Sequence, residues 1–308
     1  MLSLTAALLI ALQGPPQAEA TLPAPPVPAV EAGAEIEEPS DIMKQVLDAR
    51  YVKAPWGYVN LPPAGSWQVG PVDMTPTKYV VFLWITGLLT LLLLLPAGRA
   101  AARAREGNRV PKGGHNVIEA LVLFLRNEVV MRNIGHGGER YVPFVVTLFF
   151  FILVSNSLGL IPFGASVTTS ISVTATLALM ALVVVETAGM QALGFRGYMG
   201  TIFYWNRDLA LPMRILMLII LSPVELLGKL AKPFALAVRL MANMTAGKIV
   251  IYSLIGLIFI FGSWWVFWGP VMMTVALTFL KIFVAFLQAY VFALLTSVFI
   301  GLIRHAHH

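Results

Sequence analysis

A single arginine, Arg239, lies deep inside a long apolar segment. Pro212 to Phe261 is a nearly continuous helix-compatible stretch of 50 residues, with Arg239 27 residues after its start and 22 before its end. An arginine at the centre of a membrane helix costs about 2.5–3.5 kcal/mol, and from this position its side chain reaches neither end of an upright helix. Ionisable groups inside a membrane mark functional sites by default. Arg239 is therefore the first candidate for a residue with a chemical role.

The residues around Arg239 form two neighbouring stripes on one predicted helix. At 100° per residue, polar residues share a narrow face with Arg239: Glu225, Lys229, Lys232 and Asn243. Small residues form the stripe beside it: Gly228, Ala231, Ala235, Ala242 and Ala246. Small side chains let another helix approach closely, so we expect this helix to present an arginine beside a smooth surface. The alternative is that Arg239 pairs with an internal carboxylate, Glu186 or the distant Glu225, and only holds the bundle together.

Further polar residues lie in apolar segments. Lys281 and Gln288 are seven residues apart and share a face of the last predicted helix, Glu186 lies late in the fourth, and Lys248 lies on a different face of its helix from Arg239. For each of these, a polar group satisfied in a packed interface is the alternative to a functional role. Four further residues are predicted to form hydrogen bonds in helix packing: Ser155, Asn156, Thr174 and Thr176.

The composition excludes an ordinary soluble enzyme. Of 308 residues, 58% are hydrophobic and only 12% charged, with a mean hydropathy of +0.81, whereas soluble domains carry roughly 25% charged residues. Cysteine is absent, which removes disulfides and thiolate sites, and no G-x-x-x-x-G-K-[ST] nucleotide loop occurs. The tail histidines His305, His307 and His308 could hold a metal weakly, but a solvated tail is the better interpretation. We expect no cofactor and no metal.

The apolar segments predict an all-α integral membrane protein with five membrane-crossing helices. The predicted spans are residues 79–96, 143–162, 171–194, Pro212 to Phe261 and Val271 to Ile303. The last two measure about 75 and 50 Å at 1.5 Å per residue, too long for about 30 Å of hydrocarbon, so either each is broken or both form a strongly tilted hairpin. Pro223 and Pro233 can kink the first without ending it. Between them, Gly262 to Pro270 is predicted to be an interfacial turn, with Trp264, Trp265 and Trp268 as an aromatic belt.

Charge distribution predicts the topology. The first 78 residues carry four Lys or Arg against eight Asp or Glu, while the loop over residues 98–115 carries five Lys or Arg against one Glu. The positive-inside rule then places the N-terminus outside and that loop and the C-terminus in the cytoplasm. The charge of +6 is therefore a topology signal, and we expect no nucleic-acid partner. Asn116 to Asn133 is predicted to be a helix on the cytoplasmic surface.

Three regions follow along the chain. Residues 1–20 resemble a secretory signal peptide, with an apolar run and Ala18-Glu19-Ala20, although an uncleaved leader is the alternative. Residues 21–78 form an extracytoplasmic extension that is partly disordered, because residues 21–40 are rich in Pro, Ala and Glu. Residues 79–308 form the membrane domain.

Three motifs in order resemble subunit a of F-type ATP synthases. K-P-F-A-L-A-V-R-L-M-A-N-M-T-A-G-K, Lys232 to Lys248, is similar to the family's arginine-bearing helix, with its pattern R-L-x-x-N-M-x-A-G. L-Q-A-Y-V-F, Leu287 to Phe292, is similar to the family's closing motif, and N-S-L-G-L-I-P, Asn156 to Pro162, to the end of its third span. Together with the predicted topology, the resemblance covers roughly residues 75 to 303.

The resemblance implies a stator in the bacterial plasma (inner) membrane, holding two half-channels against a rotating ring of c subunits. A ring carboxylate crosses the lipid neutral and gives up its proton near the stator arginine, here Arg239. Asn243 and Gln288 would line the site beside it. The implied partners are the c-ring, the b subunits of the peripheral stalk, the catalytic head through the complex, and the lipid bilayer. Nucleotide chemistry would belong to other subunits.

Two positions depart from the family pattern. Many members have His or Glu where this chain has Lys248, and commonly His or Glu where it has Lys281. Those positions usually help to form the half-channel through which protons enter, so its proton carriers here differ from the family pattern. We hypothesise that Glu186 supplies the missing carboxylate. The alternative function is a secondary transporter with Arg239 binding an anionic substrate, but such proteins often have two related halves, and no internal repeat is present here.

Overall fold

The computed structural model describes residues 51–54, 57–62, 68–69, 72–73, 75–107, 114–161, 164–203, 211–261 and 264–304. They all belong to one compact unit, Glu37–His308. The predicted signal peptide, the Pro-rich linker and the tail histidines lie outside the described residues, so those interpretations stay predictions.

Helices account for nearly all of the described chain. Seven are numbered in chain order: α1 (Lys78–Gly107), α2 (Gly114–Phe124), α3 (Arg132–Ile134), α4 (Val142–Leu158), α5 (Ile171–Ile202), α6 (Leu211–Phe261) and α7 (Trp264–Arg304). A π-helical segment, Leu125–Met131, joins α2 to α3, and 3-10 turns precede α4 and α5 at Gly138–Tyr141 and Val167–Thr169. The surface helix predicted for Asn116 to Asn133 corresponds to α2, the π segment and α3.

Five of the helices are long and apolar enough to cross a membrane, which confirms the all-α membrane fold and the number of spans. The membrane-length segments are Lys78–Pro96, Gly138–Leu158, Ile171–Ile202, Leu211–Ile258 and Phe267–Arg304. With 51 and 41 residues, α6 and α7 are about 77 and 62 Å long at 1.5 Å per residue. Both run through their internal prolines, so the long hairpin is made of unbroken helices.

The structure corrects the sequence analysis in three places. Helix α1 continues to Gly107, so the first part of the basic segment is helical where a loop was expected. Helix α7 begins at Trp264, so the predicted turn through Pro270 is wrong from that residue onward. Pro270 lies inside α7, where it removes one backbone hydrogen bond but does not end the helix, as membrane helices tolerate. Two short hairpins precede α1 and were not predicted: β1 (Tyr51–Ala54) pairs with β2 (Gly57–Asn60), and β3 (Gln68–Val69) with β4 (Val72–Asp73).

The core forms around α4 and the second half of α7. Phe149 and Ile152 of α4 are fully buried, as are Ala289 and Phe292 of α7. The surface helix packs one face onto this core through four buried residues, Leu125, Val129, Val130 and Ile134. Gly301 lets α7 pass close to this helix, because a Cβ at that position would lie 2.1 Å from the carbonyl oxygen of Asn133. The part of α7 that follows Gln288 is therefore packed against both α4 and the surface helix.

Asn156, near the end of α4, forms two buried hydrogen bonds with other segments of the chain. Its side-chain amide donates to the carbonyl oxygen of Ala285 at 3.4 Å, and it accepts a hydrogen bond of 2.7 Å from the Thr168 hydroxyl. This confirms the predicted packing role of Asn156. Thr174 and Thr176 donate to carbonyls of their own helix, whereas the buried Ser155 hydroxyl has no hydrogen-bond partner in the described chain.

Candidate functional site

Helix α6 presents Arg239 on a face that points away from the rest of the chain. The buried residues of α6 repeat at helical spacing and pack toward α5 and α7: Leu236, Ala237, Leu240, Met244 and Lys248. Arg239 lies on the other side and is exposed, together with Ala231, Ala235, Ala242 and Ala246. We call these five residues the arginine face. It combines one fixed positive charge with side chains small enough for another helix to approach closely.

No carboxylate in the described part of the chain forms an ion pair with Arg239. Glu186, one of the two internal candidates, lies beside Lys229 instead, and Glu225 is an exposed residue fourteen positions earlier on α6. Fourteen residues correspond to about 21 Å along a helix, too far for a direct contact. The geometry therefore does not support the alternative in which Arg239 only holds the bundle together.

Beyond Arg239, toward the end of α6 that leads to α7, lies a cluster of lysines. Lys248 is only 7% exposed, and its charge interacts with those of Lys281 and Lys78. Lys281 reaches across from α7 and rests on Gly247, where a Cβ would lie 2.6 Å from its Cε. Since Lys78 is the first residue of α1, this lysine cluster lies at the end of the bundle predicted to be extracytoplasmic.

Asn243 and Gln288, the two residues expected beside Arg239, are both held in the packed bundle. Asn243 is half-buried one turn after Arg239 and lines a cavity of about 200 Å³ between α6 and α7, whose lining also includes Gly247 and Lys281. Gln288 is 4% exposed, and its side-chain nitrogen has no hydrogen-bond partner among the described residues. A buried amide without a partner can bind water or a transient ligand at little cost, because it is already desolvated.

On the other side of Arg239 lies a second polar cluster, centred on Glu186. The Tyr198 hydroxyl donates a hydrogen bond to the Glu186 carboxylate. The Lys229 ammonium lies 3.7 Å from the same carboxylate, donates to the Tyr198 hydroxyl at 3.3 Å and sits 4.4 Å from the centre of its ring. We call these three residues the inner cluster.

Gly194 makes the inner cluster possible. It has φ +70° and ψ 163° inside α5, a conformation that glycine adopts freely and other residues rarely do. In a straight helix, residues 186 and 198 would be about 18 Å apart along the axis. The break lets the last turns of α5 fold back onto Glu186. Tyr198 and Lys229 were not identified from the sequence as contacts of Glu186. The sequence feature that could have indicated a break in this helix is Gly194, in the segment L-G-F-R-G-Y.

Two residues of the inner cluster, Glu186 and Lys229, line a cavity of about 170 Å³ between α5, α6 and α7. Glu225 and Lys232 also line it, while Leu236 and Phe299 belong to its apolar wall. Leu236 precedes Arg239 by three residues, or about 4.5 Å along the helix. The cavity has room for several water molecules and enough polar partners to hold them. It thus extends from Glu186 to within one helical turn of Arg239.

The two clusters do not meet. Lys229 and Lys248 are nineteen residues apart on α6, about 28 Å along the axis, with Arg239 between them. Glu186 is therefore not placed where it could supply a carboxylate to Lys248 and Lys281, and the hypothesis that it does so has no support in this geometry. The arrangement is a fixed charge on an open face, with a polar cluster toward each end of the bundle.

The family model of the ATP synthase A chain matches residues 80–301, which include α1 from its third residue and nearly all of α7. The chain belongs to the ATP synthase A chain family. The resemblance to subunit a of F-type ATP synthases is thus confirmed, and with it a multi-pass membrane subunit that is not the catalytic one. The assignment to this family replaces the alternative of a secondary transporter.

Individual relatives agree with the family assignment. The "ATP synthase subunit a" of Chloroherpeton thalassium is 42% identical over 275 residues, covering 88% of this chain and 79% of the relative. That of Anaeromyxobacter dehalogenans is 44% identical over 243 residues, covering 78% and 61%. The "ATP synthase subunit a 2" of Prosthecochloris aestuarii is 38% identical over 304 residues, covering 96% and 89%. The similarity therefore extends beyond the three motifs that carry the resemblance.

Proposed function

We propose that this chain is the ion-translocating stator of a rotary ATP synthase, passing protons to and from a ring of c subunits through two half-channels. It would work in the bacterial plasma membrane, assembled with the c-ring, the b subunits and, through the complex, the catalytic head. The observation that carries the proposal is the arginine face: an exposed guanidinium among small residues, with a polar cluster on each side of it along α6.

Arg239 would discharge the ring carboxylate. A carboxyl group in lipid is kept neutral because burial disfavours its charged form, and an opposite charge within a few ångströms favours ionisation. As a ring subunit reaches the arginine face, its proton is released, and the carboxylate is protonated again when it leaves. The same fixed charge repels cations, so protons cannot pass directly from one half-channel to the other.

Each polar cluster would serve one half-channel. Toward the extracytoplasmic end, Asn243 and Gln288 would line the path beside Arg239, with Lys248 and Lys281 at its wall. Toward the cytoplasmic end, the cavity at Glu186 would serve the second path. We therefore keep Glu186 as a proton-path residue but assign it to the cytoplasmic side. This orientation follows from the basic segment after the first span, which places the N-terminus outside and the C-terminus inside.

Residues 79–308 would form the membrane domain that carries these functions. Residues 1–20 would act as a signal peptide and residues 21–78 as an extracytoplasmic extension, as their composition predicts. Nucleotide binding would belong to the catalytic head.

Contact between the arginine face and the ring is testable by cross-linking, because this chain contains no cysteine. We expect Ala242→Cys to form a disulfide with a cysteine placed beside the carboxylate of a c subunit in assembled complexes. Ala237→Cys is the matched control, since Ala237 lies on the same helix but is only 3% exposed. Absence of the cross-link at Ala242, or equal cross-linking at both positions, would contradict a ring docked on this face.

A further inference from the structure

The inner cluster contains two residues, Tyr198 and Lys229, to which the proposed function gives no role. Both touch Glu186, and both are largely inside the bundle: Tyr198 is 6% exposed, and the side chains of Lys229 and Glu186 are 12% and 19% exposed. The other charged groups facing the same cavity are Glu225 and Lys232. Glu186 and Tyr198 lie on opposite sides of the Gly194 break in α5, and Lys229 comes from α6.

The three side chains form a closed triangle. Tyr198 donates to the Glu186 carboxylate, Lys229 donates to the Tyr198 hydroxyl at 3.3 Å, and the Lys229 ammonium lies 3.7 Å from the Glu186 carboxylate. This leaves the carboxylate at the wall of a cavity that ends one turn from Arg239. A carboxylate held on one side and open to water on the other has the geometry of a group that exchanges protons.

We propose that Glu186 is the proton carrier of the cytoplasmic half-channel and that Tyr198 and Lys229 are positioning residues that hold its carboxylate toward the cavity. When ATP is hydrolysed, the carboxylate takes a proton from hydronium in the cavity: one O–H bond of the hydronium breaks, one O–H bond to the carboxylate forms, and a water molecule remains. It then gives that proton through cavity water to a ring carboxylate near Arg239, and returns to its ionised state. During synthesis the same proton moves in the opposite direction. This inference rests on the stator function proposed above.

A purely structural role for the triangle makes a different prediction. If the Glu186–Lys229 pair only joins α5 to α6, removing one partner is costly because a charge is left unpaired in a partly buried place, and removing both relieves that cost. If Glu186 carries protons, removing both partners still removes the carrier. The double variant therefore separates the two roles.

ATP-driven proton pumping by assembled complexes in inverted membrane vesicles is the test. We expect Glu186→Gln to lower the pumping rate by a factor of about 100, the lower end of what a positioned acid or base contributes. The double variant Glu186→Gln/Lys229→Met should pump equally slowly. Thr187→Val is the control, because Thr187 is next to Glu186, donates within the described chain only to the carbonyl oxygen of Val184 at 3.0 Å, and lies outside the cavity wall.

Tyr198→Phe gives a second readout, because phenylalanine keeps the ring next to Lys229 and removes only the hydroxyl. We expect this variant to move the pH of half-maximal pumping, which a packing role would leave unchanged. Wild-type pumping by Glu186→Gln, or recovery of pumping in the double variant, would overturn the proposal. If Glu186→Gln does not assemble, the pH profile of Tyr198→Phe decides between the two roles.

Arg239→Ala, measured in the same vesicles, separates a failure of the Glu186 proposal from a failure of the proposed stator function. If Arg239→Ala stops pumping while Glu186→Gln pumps normally, the assignment of Glu186 is wrong and the stator function stands. If Arg239→Ala itself pumps normally, the stator mechanism fails, whatever the Glu186 variants show.

Discussion

Replacement of Arg239 by alanine is expected to reduce ATP-driven proton pumping by at least about a hundredfold. Two unit charges 4 Å apart interact by about 4 kcal/mol at an effective dielectric constant of 20, which corresponds to a factor on the order of a thousand in an ionisation equilibrium. Without the guanidinium, a ring carboxylate arriving at the arginine face keeps its proton, and rotation no longer moves charge. The measurement is ATP-dependent acidification of inverted vesicles that contain the assembled complex.

Arg132→Ala is a suitable control for the loss of an arginine. Arg132 lies on the surface helix, where its side chain is 75% exposed and pairs with Glu128 at 3.0 Å. Exposed pairs of this kind contribute about 0–1 kcal/mol, so pumping should be close to that of the wild type. Normal pumping by Arg239→Ala complexes that contain the ring and head would show that the arginine has no part in proton transfer.

A bulky residue on the arginine face should have the second-largest effect. Ala242 lies about one turn after Arg239 and is exposed, and small residues of this kind allow close helix contact. We expect Ala242→Trp to lower pumping severely, although less than Arg239→Ala does, and to lower the amount of c subunit that remains with this chain after gentle detergent extraction. The indole would hold the ring helices several ångströms away from the guanidinium.

Leu226→Trp provides the comparison for this variant. Leu226 lies on the same helix, is 51% exposed and points about 160° around the helix from Ala242 at 100° per residue. A tryptophan there should contact lipid and leave both pumping and ring retention near wild-type values. If both variants, or neither, lose pumping, the arginine face is not the surface on which the ring rotates.

Sequence patterns could predict the membrane fold because each span is a long, largely apolar run, and the basic segment between the first two runs indicates the orientation. The five spans follow from the length of those runs, and the stripe of Ala235, Ala242 and Ala246 follows from their spacing along one helix. The two hairpins before α1 escaped prediction since strands of two to four residues are too short to show a period. The first turns of α7 were misread because tryptophan, glycine and proline together resemble an interfacial turn.

The candidate site was only partly predictable for a physical reason. Arg239 could be found from its cost in a membrane, and Glu186 from its isolation among apolar residues. Which groups surround Glu186 depends on the Gly194 break, and a glycine in sequence does not reveal the direction in which a helix turns after it. The sequence hypothesis placed Glu186 with Lys248 and Lys281, whereas in the structure its neighbouring lysine is Lys229.

In the proposed mechanism, two polar paths open on opposite sides of the membrane and meet only at Arg239. Because the chain has no cysteine, single cysteines can report which side reaches each path. We would place one at Lys281, in the lysine cluster, one at Glu225, at the inner cavity, and one at the buried Ala237 as an unreactive control. Each would be treated with a small charged methanethiosulfonate reagent that does not cross membranes.

Labelling in vesicles of the two orientations then gives a direct answer. We expect Lys281→Cys to react from the extracytoplasmic side only and Glu225→Cys from the cytoplasmic side only, with Ala237→Cys unreactive from both. Reaction of Lys281→Cys and Glu225→Cys from the same side would mean one continuous path, and would contradict a stator that obliges protons to travel on the ring.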